Sequence, residues 1–179
     1  IGYYTMLRKE LVRIVRIWSQ TLLPPIVTSS LYFIVFGAFI GSQLAPINGF
    51  SYMQFIVPGL IMMAVITSSY SNTVSTFYSA KFMRNIDEML VSPMPDWVIV
   101  VGFVSGGLLR GLLVGLLVLG VSLLFTHMAI ANALVLLAAV VLTSLGFSLA
   151  GLINGVYAKG FDGISIVPTF VLTPLTYLG

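Results

Sequence analysis

Long apolar runs alternate with short polar segments along this chain. Runs near or above the roughly 20 residues that a helix needs to cross a bilayer cover 21–40, 52–78, 97–125 and 129–157, and a fifth begins at 164 and continues to 179. The ten-residue alternation of polar and apolar positions that marks membrane β-barrels is absent. The pattern predicts an all-α membrane protein, a polytopic helical bundle with four full spans and the start of a fifth.

The segment 4–18, before the first span, places apolar residues on one side of a helix and basic residues on the other. This pattern predicts an interfacial amphipathic helix whose basic face lies toward anionic lipid, with each cation contributing on the order of 1 kcal/mol. The alternative is a simple basic flank of the first span. The apolar stripe is Leu7, Leu11, Ile14 and Trp18, and the residues assigned to the lipid interface are Arg8, Arg13, Arg16 and Trp18.

The segment 81–96 concentrates charge between the second and third spans and ends with Pro93 and Pro95 before the next run. Ile86, Met89, Leu90 and Pro93 fall at helical spacing on one side, which predicts a short amphipathic helix outside the membrane. Such a helix can press against a partner protein.

Charge fixes the predicted orientation. Lysine and arginine occur before the first span, between the second and third, and after the fourth, whereas the connections around Asn48 and His127 have none. The positive-inside rule therefore predicts a cytoplasmic N-terminus and places the Asn48 and His127 loops outside. Since the chain is 59% hydrophobic and 7% charged, its net charge of +3 indicates membrane orientation and not nucleic-acid binding.

Arg110 is the only charged residue predicted deep in a span. A charge at that depth is expensive and should face protein or water. The expected partners are Asp162, Asp96 or backbone carbonyls that prolines leave without a donor. A structural role and a role in a substrate path both stay open.

The second span is rich in serine, threonine and asparagine in its cytoplasmic half, which indicates either interhelical hydrogen bonds or the lining of a polar pathway. The possible pathway residues are Arg110, Ser68, Asn72, Ser75 and Thr76. Glycines at four-residue spacing predict faces where another helix backbone approaches closely. These helix-packing glycines are Gly102, Gly106, Gly107, Gly111, Gly115, Gly151 and Gly155.

Catalytic motifs are poorly represented. Lys9, Lys81 and Lys159 each lack the glycines of a phosphate-binding loop, so any ATP chemistry belongs to another subunit. His127 is the one histidine, and Ser148 has no base placed beside it. The sequence predicts no catalytic residue, no metal site and no cofactor bound by this chain.

The chain resembles the type-2 ATP-binding-cassette (ABC) permeases, the membrane subunits of bacterial export systems, and among them the small permeases of Gram-negative inner membranes. The segment with LVSP is the most family-specific part of a match that covers essentially the whole chain. The residues that carry the resemblance are ELVRIVRIWSQTLLPP (10–25), FSYMQFIVPGLIMM (50–63), RNIDEMLVSPMP (84–95), FSLAGLINGVYAKGFDGIS (147–165) and VPTFVLTPLTYLG (167–179).

The resemblance implies a six-span protomer that is cut off here before the end of the fifth span. It also implies a homodimer or pseudo-dimer with a translocation path between protomers, and two ATPase subunits that bind ATP and Mg and dock on the segment 81–96. The expected transporter is an exporter in the inner membrane. The residues expected to contact the ATPase are Arg84, Asp87, Glu88, Met89 and Leu90.

Two other function classes remain as alternatives. An ATP-independent secondary transporter or channel predicts acidic residues inside spans, and none of the five carboxylates falls in the middle of one. A non-transporting scaffold subunit would explain the glycines without a polar path. Isolation of the protein with or without a nucleotide-binding partner separates these classes.

Overall fold

A computed structural model describes residues 2–40, 51–126 and 132–178, so the predictions for Asn48 and His127 lie outside the described residues. Every regular element in these ranges is helical, which confirms the all-α prediction. The helices are α1 (Gly2–Arg16), α2 (Trp18–Thr21), α3 (Leu23–Tyr32), α4 (Tyr52–Phe82), α5 (Asn85–Val91), α6 (Asp96–Phe125), α7 (Ala133–Tyr157), α8 (Phe161–Val167) and α9 (Thr173–Leu178), with π-helical turns at Phe33–Ile40 and Pro168–Leu172.

Four helical stretches are long and apolar enough to cross a membrane, as the hydropathy pattern predicted. They are Trp18–Gly37, Tyr52–Phe82, Asp96–Phe125 and Ala133–Tyr157. The second and third stretches have 31 and 30 residues, more than the roughly 20 that a bilayer requires. Both are therefore long enough to extend beyond the membrane at the end where α5 joins them, which we call the α5 end of the bundle.

The first span is interrupted near its start. Pro24 and Pro25 occupy the first turn of α3, where a missing backbone donor is tolerated. Pro25 also has no N–H to donate to the carbonyl of Thr21, four residues earlier and buried at 4% exposure. A backbone acceptor is thereby left open at the junction of α2 and α3.

Close contact among α4, α6 and α7 depends on glycine. A Cβ on Gly107 or Gly111 of α6 would collide with hydroxyl side chains of α4 and α7, and one on Gly151 of α7 would lie 2.7 Å from the carbonyl oxygen of Tyr70 in α4. These backbones approach so closely because no side chain separates them. The hydroxyl residues at this junction are Ser69 and Thr73 of α4 and Ser144 and Ser148 of α7.

The amphipathic helix α1 packs along the first half of α6 in matching four-residue steps. Met6 contacts Gly102, and Glu10 contacts Gly106. Of the predicted apolar stripe, Ile14 is buried at 2% exposure, whereas Leu11 is 38% and Trp18 58% exposed, and Glu10, outside the stripe, is 4% exposed. Glycine on α6 makes room for the longer side chains of α1, and that room decides which face of α1 is buried.

At the α5 end, a lysine side chain joins the ends of α4 and α7, and a left-handed turn leads from α4 into α5. Lys81, near the end of α4, donates from its Nζ to the carbonyls of Val156 and Ala158 at 2.7 and 3.1 Å. A cation at the last carbonyls of α7 satisfies acceptors that have no helical partner. In the turn after α4, Arg84 adopts a left-handed backbone conformation with φ of 58°.

The left-handed turn at Arg84 gives a testable difference between side chains. Glycine adopts this conformation without the steric penalty of a Cβ, whereas a β-branched residue is strongly disfavoured there. We expect Arg84→Val to lower the free energy of unfolding by about 1–2 kcal/mol and Arg84→Gly to leave it unchanged or raise it. Unfolding in mixed detergent micelles measures the free energy of unfolding of both variants. Equal losses in Arg84→Val and Arg84→Gly would show that the left-handed backbone conformation is not the cause.

Candidate functional site

Two arginines from different helices converge on one amide. Arg13 of α1 donates to Oδ1 of Asn72 in α4 at 2.7 Å, and Arg110 of α6 lies 3.5 Å from the same oxygen. Arg13 also forms an ion pair with Glu10 at 3.0 Å. Asn72 is 1% exposed, so it links three helices in the interior of the bundle.

Arg13 differs from the lipid-facing expectation, since its guanidinium donates to Glu10 and Asn72 while the side chain stays 32% exposed. Its side chain turns into the bundle because Asn72 and Glu10 offer acceptors on that side. Arg8 and Arg16 are exposed, as an interfacial helix requires, and Trp18 is exposed beyond the end of α1.

The partner of Arg110 is the carbonyl that Pro25 leaves without a donor. Nη2 of Arg110 donates to the carbonyl oxygen of Thr21 at 3.2 Å. The expectation of a carbonyl freed by a proline is thus confirmed. The expectation of Asp96 or Asp162 is wrong, since no ion pair between Arg110 and a carboxylate occurs in the described residues.

Arg110 also lies nearer to one membrane boundary than the sequence suggested. Its partner Thr21 is three residues into the first candidate span, Trp18–Gly37, or about 5 Å along α2. Along α6, Arg110 lies 14 residues, about 21 Å, from Asp96 and 15 residues, about 22 Å, from Phe125, and α6 is long enough to extend beyond the membrane at the Asp96 end. The guanidinium is therefore within reach of the headgroup region at the α5 end, where a buried cation is less costly.

A cavity of about 290 Å³ opens beside Arg110, between the first span and α4. Its floor is Arg110, and its walls combine hydroxyl and amide groups with apolar side chains. The residues around it are Gln20, Pro24, Pro25, Thr28, Ser29, Tyr32, Leu60, Met63, Ala64, Thr67, Ser68, Ser71 and Arg110.

The predicted pathway residues do not all lie together. Ser68 lines the cavity and Asn72 contacts Arg110, but Ser75 is exposed on another part of α4. Thr76 donates its hydroxyl to the carbonyl of Asn72 within its own helix. Ser75 is therefore not part of this group.

The hydroxyl groups of α4 mostly serve their own helix. Thr67, Ser69 and Thr73 each donate to the carbonyl four residues earlier. Ser69 and Thr73 lie at the glycine contacts of α6, so they serve the packing of the helices and not a pathway. Thr67 borders the cavity beside Arg110. In the middle of α4, Asn72 is the residue that accepts side-chain hydrogen bonds from α1 and α6, and at the end of α4 Lys81 donates to the last carbonyls of α7.

The short helix α5 presents a mixed surface at one end of the bundle. Arg84, Asp87 and Glu88 are exposed, and Leu90 is 59% exposed. Met89 is partly buried and packs against the apolar cluster that contains Ile99 and Phe103, so it is less open to an external contact than Leu90.

Val91 is the residue of this surface that the sequence reasoning missed. It is 88% exposed and follows Leu90 directly. The apolar pair Leu90–Val91 beside the carboxylates of Asp87 and Glu88 is a surface suited to a protein contact. The sequence contained a signal for it, since Val91 directly follows Leu90 at the end of a short charged helix.

Catalytic and metal-binding groups are not assembled in the part of the chain that the structure describes. No group of three or more side chains that could hold a metal ion occurs there. The Ser148 hydroxyl is fully buried against α6 and lies without a hydrogen-bond partner. An acyl-transfer role for Ser148 would need a base within hydrogen-bond reach, and none is present among the described residues.

These features define a polytopic helical membrane protein with an amphipathic N-terminal helix and a short exposed helix between its second and third spans. The chain belongs to the ABC-2 type transporter family, whose model matches residues 2–179. It is therefore a permease component of a transporter. This membership confirms the resemblance seen in the sequence.

Two relatives show how far the similarity extends. The chain is 59% identical over 171 residues to the inner membrane transport permease YadH of Escherichia coli strain K12, covering 96% of this chain and 67% of that protein. It is 26% identical over 152 residues to nodulation protein J of Rhizobium leguminosarum bv. viciae, covering 83% of this chain and 58% of that protein. No solved structure matches the chain.

Proposed function

We propose that this chain is the membrane-spanning subunit of an ATP-driven ABC exporter of the bacterial inner membrane. A separate ATPase subunit binds ATP and Mg and hydrolyses the nucleotide, and its motion reaches the permease through α5. The observation that carries the proposal is the exposed surface of α5, held at the ends of the two longest helices. Family membership and the similarity to an inner membrane transport permease support it.

The connections of α5 suit it to transmit force. Only Met83 and Arg84 separate it from α4, and four residues separate it from α6. On its inner side, Ile86 and Met89 pack against buried residues of the bundle. A partner that displaces α5 therefore displaces α4 and α6 with it, because neither the short connections nor the packed side chains allow α5 to move alone.

The same end of the bundle is proposed to face the cytoplasm. Arg8, Lys9 and Arg16 are exposed on α1, and Lys81, Arg84 and Lys159 cluster at the adjacent ends of α4 and α7. The positive-inside rule places such an end in the cytoplasm, where the ATPase and its nucleotide are found.

A second permease protomer completes the proposed transporter. Thr67, Ser71 and Ser75 fall at four-residue spacing along the open side of α4, where Thr67 and Ser75 are exposed. Polar side chains on a lipid-facing helix are unfavourable, so this stripe is proposed to face the translocation path between two protomers. Arg110 and Ser68 border the same opening.

The carboxylates of the described residues do not support the alternative of an ATP-independent secondary transporter or channel. Glu10 is the one buried carboxylate among the described residues. Its pairing with Arg13 occupies it, whereas a proton or ion carrier needs a carboxylate that exchanges its partner during transport.

Glu88→Lys tests the docking of the ATPase on α5. The proposed ATPase surface presents a cation to Glu88, so reversing this exposed charge should lower ATPase retention at least about tenfold, since opposed like charges cost several kcal/mol. The measurement is the amount of ATPase that co-purifies with the permease in nanodiscs, together with the permease-dependent change in its ATP hydrolysis. Membrane insertion should be unchanged.

Asp162→Lys is the matched control, because it makes the same charge reversal on the exposed helix α8 at the same end of the bundle. It should retain the ATPase within about twofold of the native chain, as expected for a charge outside the interface. Equal retention by native and Glu88→Lys chains would contradict docking on α5. Stable absence of any ATPase from the native permease would contradict the proposed function itself and favour the ATP-independent alternative.

A further inference from the structure

The cluster around Asn72 carries one more positive charge than negative. Arg13 and Arg110 both approach the Asn72 oxygen, whereas Glu10 supplies one carboxylate and pairs with Arg13. Within the described residues, Arg110 is held by a backbone carbonyl and by the long contact with Asn72. A guanidinium at the edge of the apolar layer is thus left without a counter-charge, which is an unfavourable arrangement for a protein alone.

Arg110 also has hydrogen-bonding capacity to spare. A guanidinium carries five N–H donors, and the Nε group of Arg110 is buried without a partner. The fork geometry of arginine matches the two oxygens of a phosphate or carboxylate. The unused donors and the unmatched charge therefore point to the same kind of ligand, an oxyanion.

The cavity beside Arg110 has the composition that an amphiphile requires. Polar groups from Thr28, Ser68 and Ser71 border it together with Arg110, while Leu60 and Met63 make another part of the wall apolar. Arg110 contacts Thr21, which is three residues, or about 5 Å of helical rise, from the start of the first candidate span at Trp18. A headgroup at that boundary can reach the guanidinium while its acyl chain stays in the apolar part.

We propose that this cavity binds an anionic membrane amphiphile, with its phosphate or carboxylate on Arg110 and its acyl chain between the first span and α4. The ligand enters from the leaflet at the α5 end. The assignment does not depend on the transport of that molecule, so it stands or falls separately from the proposed function.

Lipid competition tests the site directly. The intact permease is purified, stripped of lipid, and equilibrated with equal amounts of phosphatidylglycerol and phosphatidylcholine of matched acyl chains, and the retained lipids are quantified by native mass spectrometry. The native chain should retain phosphatidylglycerol in preference by at least about tenfold, as expected for a charged hydrogen bond in a low-dielectric site. Arg110→Gln should bring the ratio close to one.

Two further variants separate the site from general charge and from misfolding. Lys159→Gln removes the same charge from an exposed turn and should keep the preference. Ala64→Phe places a ring in the cavity without touching Arg110 and should abolish retention while the chain stays monodisperse. Because Ala64→Phe leaves the Asn72 cluster intact, loss of binding there cannot come from loss of the arginine contacts.

The outcomes are distinct. The proposal is overturned if the native chain shows no preference for phosphatidylglycerol over phosphatidylcholine. It is also overturned if that preference is undiminished in both Arg110→Gln and Ala64→Phe. A native dimer that retains no phosphatidylglycerol would assign the cavity to the second protomer instead. With the ATPase complex present, phosphatidylglycerol that persists through ATP hydrolysis identifies a resident lipid. Loss of the bound lipid during hydrolysis identifies a transported amphiphile at the same site.

Discussion

Gly151→Ala is expected to destabilise the bundle by about 2–3 kcal/mol, a large effect for one methyl group. The added Cβ would lie 2.7 Å from the carbonyl oxygen of Tyr70, and a backbone atom in the middle of a helix cannot move aside alone. Helices α4 and α7 would have to separate along their shared contact. Unfolding of the purified chain by a graded increase of denaturing detergent, followed through tryptophan fluorescence, measures the loss.

Two other glycines of α7 provide graded controls for Gly151. A Cβ on Gly155 would meet the ring of Phe77 at 2.9 Å, and a ring can rotate away, so Gly155→Ala should cost less than Gly151→Ala. Gly146 is exposed and has no neighbour within 4 Å, so Gly146→Ala should cause no loss. Equal stability of the Gly151 and Gly146 variants would show that the two backbones are not in close contact.

Much of this architecture could be predicted from the sequence, because a membrane helix is recognised from the apolar run of its own residues. An unbroken apolar run of sufficient length has few alternatives to a spanning helix when every backbone group must be satisfied internally. Glycines at four-residue spacing likewise predict a smooth packing face from the sequence of one helix alone. Gly107 and Gly151 accordingly lie where α4, α6 and α7 meet.

The partners of the buried charges could not be predicted in the same way. Which face of α1 is buried depends on Gly102 and Gly106, which are more than 90 residues away in sequence and leave room for Met6 and Glu10. Nothing in the periodicity of α1 indicates that room, since its apolar residues fit more than one stripe. The inward turn of Arg13 follows from this non-local packing.

Arg110 illustrates the boundary between what the sequence predicts and what only the structure shows. Its need for an acceptor follows from the cost of burying a cation, and a carbonyl freed by a proline is a class of acceptor that the sequence contains. Which of several prolines supplies that carbonyl depends on the position of the first span beside α6. The structure selects Pro25 by bringing Thr21 to Arg110.

Glu10→Gln is expected to give the other large effect. The substitution keeps the size of the side chain but removes the only carboxylate in the cluster, so that Arg13 and Arg110 face each other across Asn72 without a counter-charge. Removing one partner of a fully buried ion pair costs about 3–5 kcal/mol. Since the Arg13 side chain is 32% exposed, solvent screens part of this charge and a loss of about 2 kcal/mol is expected.

Glu88→Gln is the matched control, because it makes the same chemical change on an exposed carboxylate of α5 and should alter stability by less than about 0.5 kcal/mol. The double variant Glu10→Gln with Arg13→Gln separates charge imbalance from a lost hydrogen bond. If imbalance dominates, removing Arg13 as well should recover at least about 1 kcal/mol of the loss, a coupling typical of groups in one network. Strictly additive losses would instead assign the effect of Glu10 to its packing on Gly106, and the cluster would then be held by shape and not by charge.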